Sequence, residues 1–277
     1  MQLSLSNSLG TARRIARGYS FTDSDAEAYV TALETAGATP TDDQKSAIDT
    51  FYATGKSEGW YTNIKRLYLP IWAAAAPNAI DMIALGSGTW NGGITHASGY
   101  AQSNGTTGYF DYGDTTTGIG LTQTDASIFQ MMAEMPAPSN TLIGYRGAGL
   151  ERFTCDVNGT ANMRGNIGSN VAGFTIFGTE KPLILCTRSS TTSIDFYSRS
   201  GSGFLDEGND ATSDTQALLA LNPYAVGGWN NNGTAQVLAS NKSAAHGVGT
   251  HFTSSEAENF TLALKNLWET TTGLTLS

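Results

Sequence analysis

The stretch KPLILCTRSSTTSIDFYSR, Lys181 to Arg199, reads as two β-strands joined by a short polar loop. Leu183, Ile184, Leu185 and Cys186 form an unbroken apolar run, so the first strand is expected to be buried on both faces. Ile194 and Phe196 alternate with Asp195 and Tyr197, so the second is expected to be buried on one. Ser189 to Thr192 supplies a four-residue connection, and the Gly-rich run after Arg199 ends the second strand. A hairpin of this kind is not stable alone in water; it needs a sheet around it and a second layer over that sheet. Leu183, Leu185 and Phe196 are therefore predicted to be core residues.

Outward from the hairpin, strand signals recur every 8 to 15 residues from Ile94 onward, separated by Gly, Asn, Thr and Ser. They fall near 94–100, 108–112, 127–135, 140–145, 150–157, 174–177, 183–187, 193–198, 224–229 and 236–239. A further strand is expected around 80–85. This rhythm predicts a mainly β protein, a jelly roll or β-sandwich. Three Asn-Gly-Thr triplets, at Asn104, Asn158 and Asn232, mark tight turns.

Helical spacing dominates on either side. Ala26, Tyr29, Val30 and Leu33 line one helix, and Thr41 with Gln44 makes a capping box for a second that buries Ala47, Ile48, Phe51 and Tyr52. A third short helix is expected over Trp60 to Tyr68, ending before Pro70. The chain closes with a helix from about Ser254 to Thr271, capped by Thr253 or Ser254 with Glu256 in its first turn, buried through Phe260, Leu264, Leu267 and Trp268 and stopped by Gly273. Three parts follow: an arm (1–20), a helical attachment segment packed on the β body (21–75), and the sandwich with its C-terminal helix (76–277).

Composition narrows the function. Charged residues make up only 14% of the 277, glycine is abundant at 32, and the formal net charge is −9. Residues 1–20 contribute Arg13, Arg14 and Arg17 and no acid, which leaves −12 for the remainder (−9 − 3). Phosphate-rich partners such as nucleic acid are therefore not expected for the main body. The alternation of Leu3 and Leu5 with serines, followed by the three arginines, suggests an arm that adds to a neighbour's sheet edge or lies on an acidic surface. A frayed terminus is the structural alternative. No apolar run has the length or order of a signal peptide and none reaches 18 residues, so neither a cleaved leader nor a membrane span is expected. Cys155 and Cys186 both fall in expected strands; two buried thiols are the default and a bridge the alternative.

The segments GITHASGYAQSNGTTGYFDYG (93–113), the hairpin, YAVGGWNNNGT (224–234) and the helix opening FTSSEAENF (252–260) together resemble the concanavalin/laminin-G-like jelly roll of tailed-bacteriophage structural proteins. The resemblance spans 94–274 and rests on turns and caps, which bear on fold more than on chemistry. It implies a virion location and a fibre or spike subunit, homo-oligomeric, trimers included, that touches other virion proteins and a host-surface glycan. A capsid decoration protein and a stand-alone lectin are the alternatives.

Candidate chemistry is sparse. His246 and His251 stand five apart in a Gly-rich stretch with no HExxH, and a loop position, or one satisfied by a backbone hydrogen bond, is the expected reading. Acids on the expected strands, Glu134, Glu151, Asp156 and Asp195, lack a close second acid, so glycosidase chemistry, and enzymatic activity generally, are not expected. Asp206, Asp210 and Asp214 lie in an acidic loop that is a Ca²⁺ candidate, with a solvated loop as the alternative; no other metal or cofactor is expected. Aromatics beside Gly or Asn remain as sugar-stacking candidates: Trp229 with Asn230 and Asn231, Tyr224 and Trp90. The competing reading of Trp229 is a plug at the end of a sandwich strand.

Overall fold

The computed structural model describes residues 18–134, 141–149, 151–158, 162–169, 173–177, 182–237 and 239–276. Leu3, Leu5, Arg13, Arg14 and Arg17 lie outside these residues, as does most of the arm expected over 1–20.

The strands, in chain order, are β1 (Ile64–Tyr68), β2 (Thr89–Asn91), β3 (Ile94–Ala97), β4 (Tyr100–Ser103), β5 (Tyr109–Asp111), β6 (Ala126–Glu134), β7 (Thr141–Arg146), β8 (Glu151–Asn158) and β9 (Asn162–Ser169). They continue with β10 (Gly173–Phe177), β11 (Leu183–Ser190), β12 (Ser193–Ser200), β13 (Gly203–Asp210), β14 (Tyr224–Ala225), β15 (Gly228–Asn231), β16 (Thr234–Val237) and β17 (Lys242–Gly249). One sheet runs β13-β12-β11-β6-β17-β4-β3, with β1 also on β17. The other runs β10-β9-β8-β7-β14-β5-β2, with β15 parallel to β7 and β16 on β15. This is the expected jelly-roll β-sandwich.

Three layers result. Between the sheets lie Ile128, Met132, Ile184, Cys186 and Phe196 from the first and Phe110, Ile143, Phe153, Cys155 and Ile167 from the second. The first sheet's other face, with Phe129, Met131, Leu183 and Leu185, packs under α1 (Ser24–Thr35), α2 (Asp42–Glu58) and the long C-terminal helix (Ser254–Thr272). Leu183, Leu185 and Phe196 are all fully buried, as the alternation required. Cys155 and Cys186 are buried free thiols.

Departures from expectation share one cause, which is what packs on each strand. β12 is buried on both faces in its second half, because the C-terminal helix crosses it: Arg199 donates from Nε to Thr261 Oγ1 (3.0 Å) and from Nη2 to the Glu258 carbonyl (3.0 Å). The hairpin connection is a two-residue turn, Thr191-Thr192, since β11 extends through Ser190. The expected third helix is a single 3₁₀ turn, Trp60–Asn63, followed by β1, because Ile64 to Tyr68 finds a free edge on β17. The region 80–85 forms only isolated bridges at Ile80 and Asp81, and 94–100 is split by Gly99 into β3 and β4.

β17, a central strand, gave no sequence signal. KSAAHGVG is poor in β-formers because space at this point is scarce: a Cβ on Gly247 would fall 2.2 Å from Phe129 Cζ and 2.3 Å from the Arg66 carbonyl. β9 and β13 were missed for similar reasons of composition.

The helix signals hold. Asp23 caps α1, Thr41 and Gln44 form the capping box of α2, and Asn232 (φ 48°) with Gly233 (φ 92°) makes the tight turn between β15 and β16. The third Asn-Gly-Thr turn, after Asn158, runs outside the described residues. At the C-terminal helix, Thr253 Oγ1 accepts from Glu256 N while Glu256 Oε2 accepts from Thr253 N (2.8 Å). Thr253→Ala is expected to lower stability by about 1 kcal/mol, read from a urea-unfolding midpoint at unchanged slope.

Candidate functional site

Of the residues proposed for sugar stacking, Trp229, Asn230 and Tyr224 are buried and Trp90 and Asn231 are half-buried. Trp229 is 5% exposed, its ring covered by the Arg146 guanidinium at 4.5 Å. Asn230 is 3% exposed and spends both ends of its amide internally, Nδ2 donating to the Asn222 carbonyl (3.0 Å) and Oδ1 accepting from Gly233 N (2.7 Å). Asn231 pairs with Thr234 at the hairpin end. Tyr224 is buried beside Tyr109, ring centroids 4.7 Å apart. Trp90 donates to the Ala75 carbonyl (3.0 Å) and packs on Phe110 and His96. Trp229 thus presents little surface to solvent.

The Ca²⁺ candidates do not converge. Asp206 and Asp210 lie on the edge strand β13, where their carboxylates accept from Gly208 N and Thr212 N. Asp214 is 5% exposed and faces Arg188, Nη1 to Oδ2 3.2 Å. Acids on such an edge block further strand pairing. No group of three or more metal-ligating side chains occurs among the described residues.

Polar groups converge instead where β1 meets the turn after Asp81 and the end of β5. A cleft of ≈160 Å³ there is lined by Arg66, Tyr68, Asp81, Ala84, Gly86, Ser87, Tyr112, Gly113 and Asp114. Each wall has a local cause. Arg66 and Tyr68 are on β1; Asp81 is fixed because its Oδ1 accepts from Leu67 N (3.1 Å) and Ile83 N (2.9 Å), which ties the turn to the strand. Tyr112 follows β5 directly.

Asp81 is 1% exposed. Its Oδ2 accepts no hydrogen bond although Arg66 Nε is only 3.3 Å away, because that N–H is aimed at Asp114 Oδ2 (2.9 Å). Arg66 Nη2 also donates to Asp114 Oδ2 (2.6 Å). Burial pushes the Asp81 carboxyl up to about 6, against the Ile83, Leu67 and Ala84 backbone donors and the guanidinium that favour its charge. Below the cleft, Tyr68, Phe110, Tyr112 and His246 form an aromatic floor: Tyr68 and His246 are stacked at 5.4 Å, and the Tyr112 hydroxyl lies 2.8 Å from His246 Nδ1. His246 is wholly buried on β17, not in a loop, and burial holds it neutral, with its pKa down at about 3. Burial raises Tyr68 and Tyr112, so both stay protonated. The arrangement offers a carboxylate acceptor, a guanidinium and a phenol hydroxyl over aromatic rings. Sequence reasoning missed it because its residues come from four separate segments; the only local sign was an Asp inside the apolar run IWAAAAPNAIDMIAL.

A second groove, of ≈470 Å³, runs between α2 and the C-terminal helix, with Phe51, Leu267, Asp43 and Glu58 among its lining residues.

No protein-family model and no curated protein matches the chain. Solved structures are similar to it in fold. Domain 4 of AbnA, a GH43 extracellular arabinanase from Geobacillus stearothermophilus solved with arabinotriose, is 12% identical with a TM-score of 0.48, covering 73% of this chain and 98% of that one. The Trypanosoma rangeli sialidase is 12% identical with a TM-score of 0.49 over 80% of this chain, which spans only 39% of the sialidase. The CBM40 of Ruminococcus gnavus IT-sialidase, bound to α2,3-sialyllactose, is 12% identical with a TM-score of 0.29, covering 50% of this chain and 80% of that one. The likeness is one of strand arrangement.

Proposed function

We propose that this chain is a virion structural protein of tailed-bacteriophage type, a fibre or spike subunit that attaches through its N-terminal segment and helices and presents its sandwich to a host-surface glycan. The observation that carries this reading is the one-sided build. α1, α2 and the C-terminal helix all cover one face of the first sheet, and both ends of the described chain belong to that layer. At the start, Asp49 of α2 accepts from Thr22 N (2.9 Å), Asp23 N (2.9 Å) and the Tyr19 hydroxyl (3.2 Å). At the finish, Leu276 is buried and its N–H donates to Glu269 Oε1 (2.8 Å). The described residues therefore both begin and end in the helical layer.

A role without turnover is supported by the cleft's own acids. Asp81 and Asp114 face the same guanidinium, so Arg66 occupies the space in which a glycosidase pair would hold the scissile bond. Partners under this reading are other virion proteins and further copies of the chain.

Deleting residues 1–17 tests the attachment claim. The truncated protein is expected to keep its circular dichroism and melting temperature and to be lost from assembled particles; normal incorporation would sink the claim. Imaging of labelled particles separates a fibre position from a capsid-decoration one, and a glycan array on the purified chain tests the adhesive half.

A further inference from the structure

We propose that the Arg66–Asp81–Tyr68 cleft is a binding site for one uncharged sugar residue, a terminal monosaccharide; this rests on the glycan-adhesion reading and gives it a location. Three observations lead there.

The first is an unpaid acceptor. Asp81 is 1% exposed, lines the cleft, and its Oδ2 receives no hydrogen bond. A buried carboxylate oxygen left so is costly, and a ligand hydroxyl donating to it relieves that cost. The Tyr68 hydroxyl, on the same cleft, has no hydrogen-bond partner among the described residues. Two unused groups of opposite capacity, an acceptor and a donor, suit the adjacent hydroxyls of a sugar ring.

The second is charge. Arg66 stands between Asp81 and Asp114 at the cleft, 3.3 Å and 2.6 Å from them. An ammonium group brought to Asp81 would meet the guanidinium, and a carboxylate or phosphate brought to Arg66 would meet both acids. A neutral ligand that both donates and accepts escapes both penalties.

The third is shape. The volume of ≈160 Å³ equals about five waters' share of the liquid. That admits one ring and excludes an extended oligosaccharide, whose remaining residues would stay in solvent. The rings of Tyr68 and Tyr112, each 2% exposed, stand edge to face at 5.0 Å and close the cleft from below. Ser87, exposed at the rim, marks the entrance.

The full chain is titrated with methyl glycosides of glucose, galactose, mannose and N-acetylglucosamine, followed by saturation-transfer NMR and by melting temperature. Glucosamine and sialic acid serve as cationic and anionic comparators. At least one neutral glycoside is expected to bind saturably and better than either charged sugar. Asp81→Asn and Tyr68→Phe are each expected to weaken it about tenfold or more, and Ser87→Trp, a rim change that leaves the buried groups in place, to abolish it. Retained circular dichroism in Ser87→Trp keeps the test valid if an interior variant fails to fold. Preferred binding of glucosamine or sialic acid overturns the assignment of a neutral ligand. Glycoside binding that survives Ser87→Trp overturns the cleft while leaving glycan adhesion standing. Absence of binding by any glycoside here and on the glycan array overturns both.

Discussion

Arg188→Met is expected to cost the fold about 3–5 kcal/mol, the range for removing one partner of a buried ion pair. Arg188 is fully buried, and its guanidinium donates to Asp214 Oδ2 (3.2 Å), to the Asp214 carbonyl (2.7 Å), to the Ser190 carbonyl (2.7 Å), to the Thr191 carbonyl (2.8 Å) and to the Ile167 carbonyl. It joins both sheets to the segment after β13. A methionine fills the stem's volume and answers none of these acceptors, the Asp214 carboxylate among them. Gly168 is part of the design: at φ +110° it leaves room where a Cβ would fall 2.5 Å from Arg188 Nη1 and 2.6 Å from Asp214 Oδ2. Asp214→Asn is expected to cost less, since the amide oxygen still accepts. Urea unfolding of the two variants checks the order, and equal small losses would mean that the pair lies open to water.

The second large effect is a pH dependence hidden by compensation. As pH falls from about 6.5 to about 3, the unfolded chain binds a proton at His246 that the folded one refuses, so stability drops by about 1.4 kcal/mol per pH unit. Asp81 acts in the opposite sense. Between about 6 and 3.8 the folded chain binds a proton that the unfolded one refuses, so its contribution is fully present below that window and is lost as pH rises through it. In the native protein the two cancel over most of the range from pH 6 to pH 4. Asp81→Asn leaves the histidine uncompensated and is expected to lose about 3 kcal/mol between pH 6.5 and pH 4. His246→Gln leaves the carboxyl uncompensated and is expected to gain about 2 kcal/mol over the same interval. All other titrating groups are common to both variants and drop out of the difference. Parallel stability profiles for the two variants would refute the opposition.

These groups also show where reading residues in order stops. The helix at 254–272 was legible to its stop and to within one residue of its cap, because Thr253, Glu256 and Gly273 act within one or two turns and the apolar stripe needs only 3.6-residue spacing. The same holds for α1 and α2 and for the Asn232-Gly233 turn. The hairpin β11–β12 was legible because an unbroken apolar run is a local consequence of burial on both sides. Trp229, by contrast, carries the same sequence context whether it faces a ligand or Arg146, and only the partner across the strands decides.

The sequence alone determined that this chain is a β-sandwich flanked by helices, since alternation, caps and turn residues report forces that act over a few residues. Tertiary structure alone decided that KSAAHGVG is a central strand, where crowding by Phe129 and β1 selects small residues over β-formers. It alone brought Arg66, Tyr68, Asp81 and Tyr112 to one cleft with His246 beneath it, because residues up to 180 positions apart (246 − 66) become neighbours through strand pairing. Desolvation then sets their protonation, and no local pattern encodes how much water a side chain will lose.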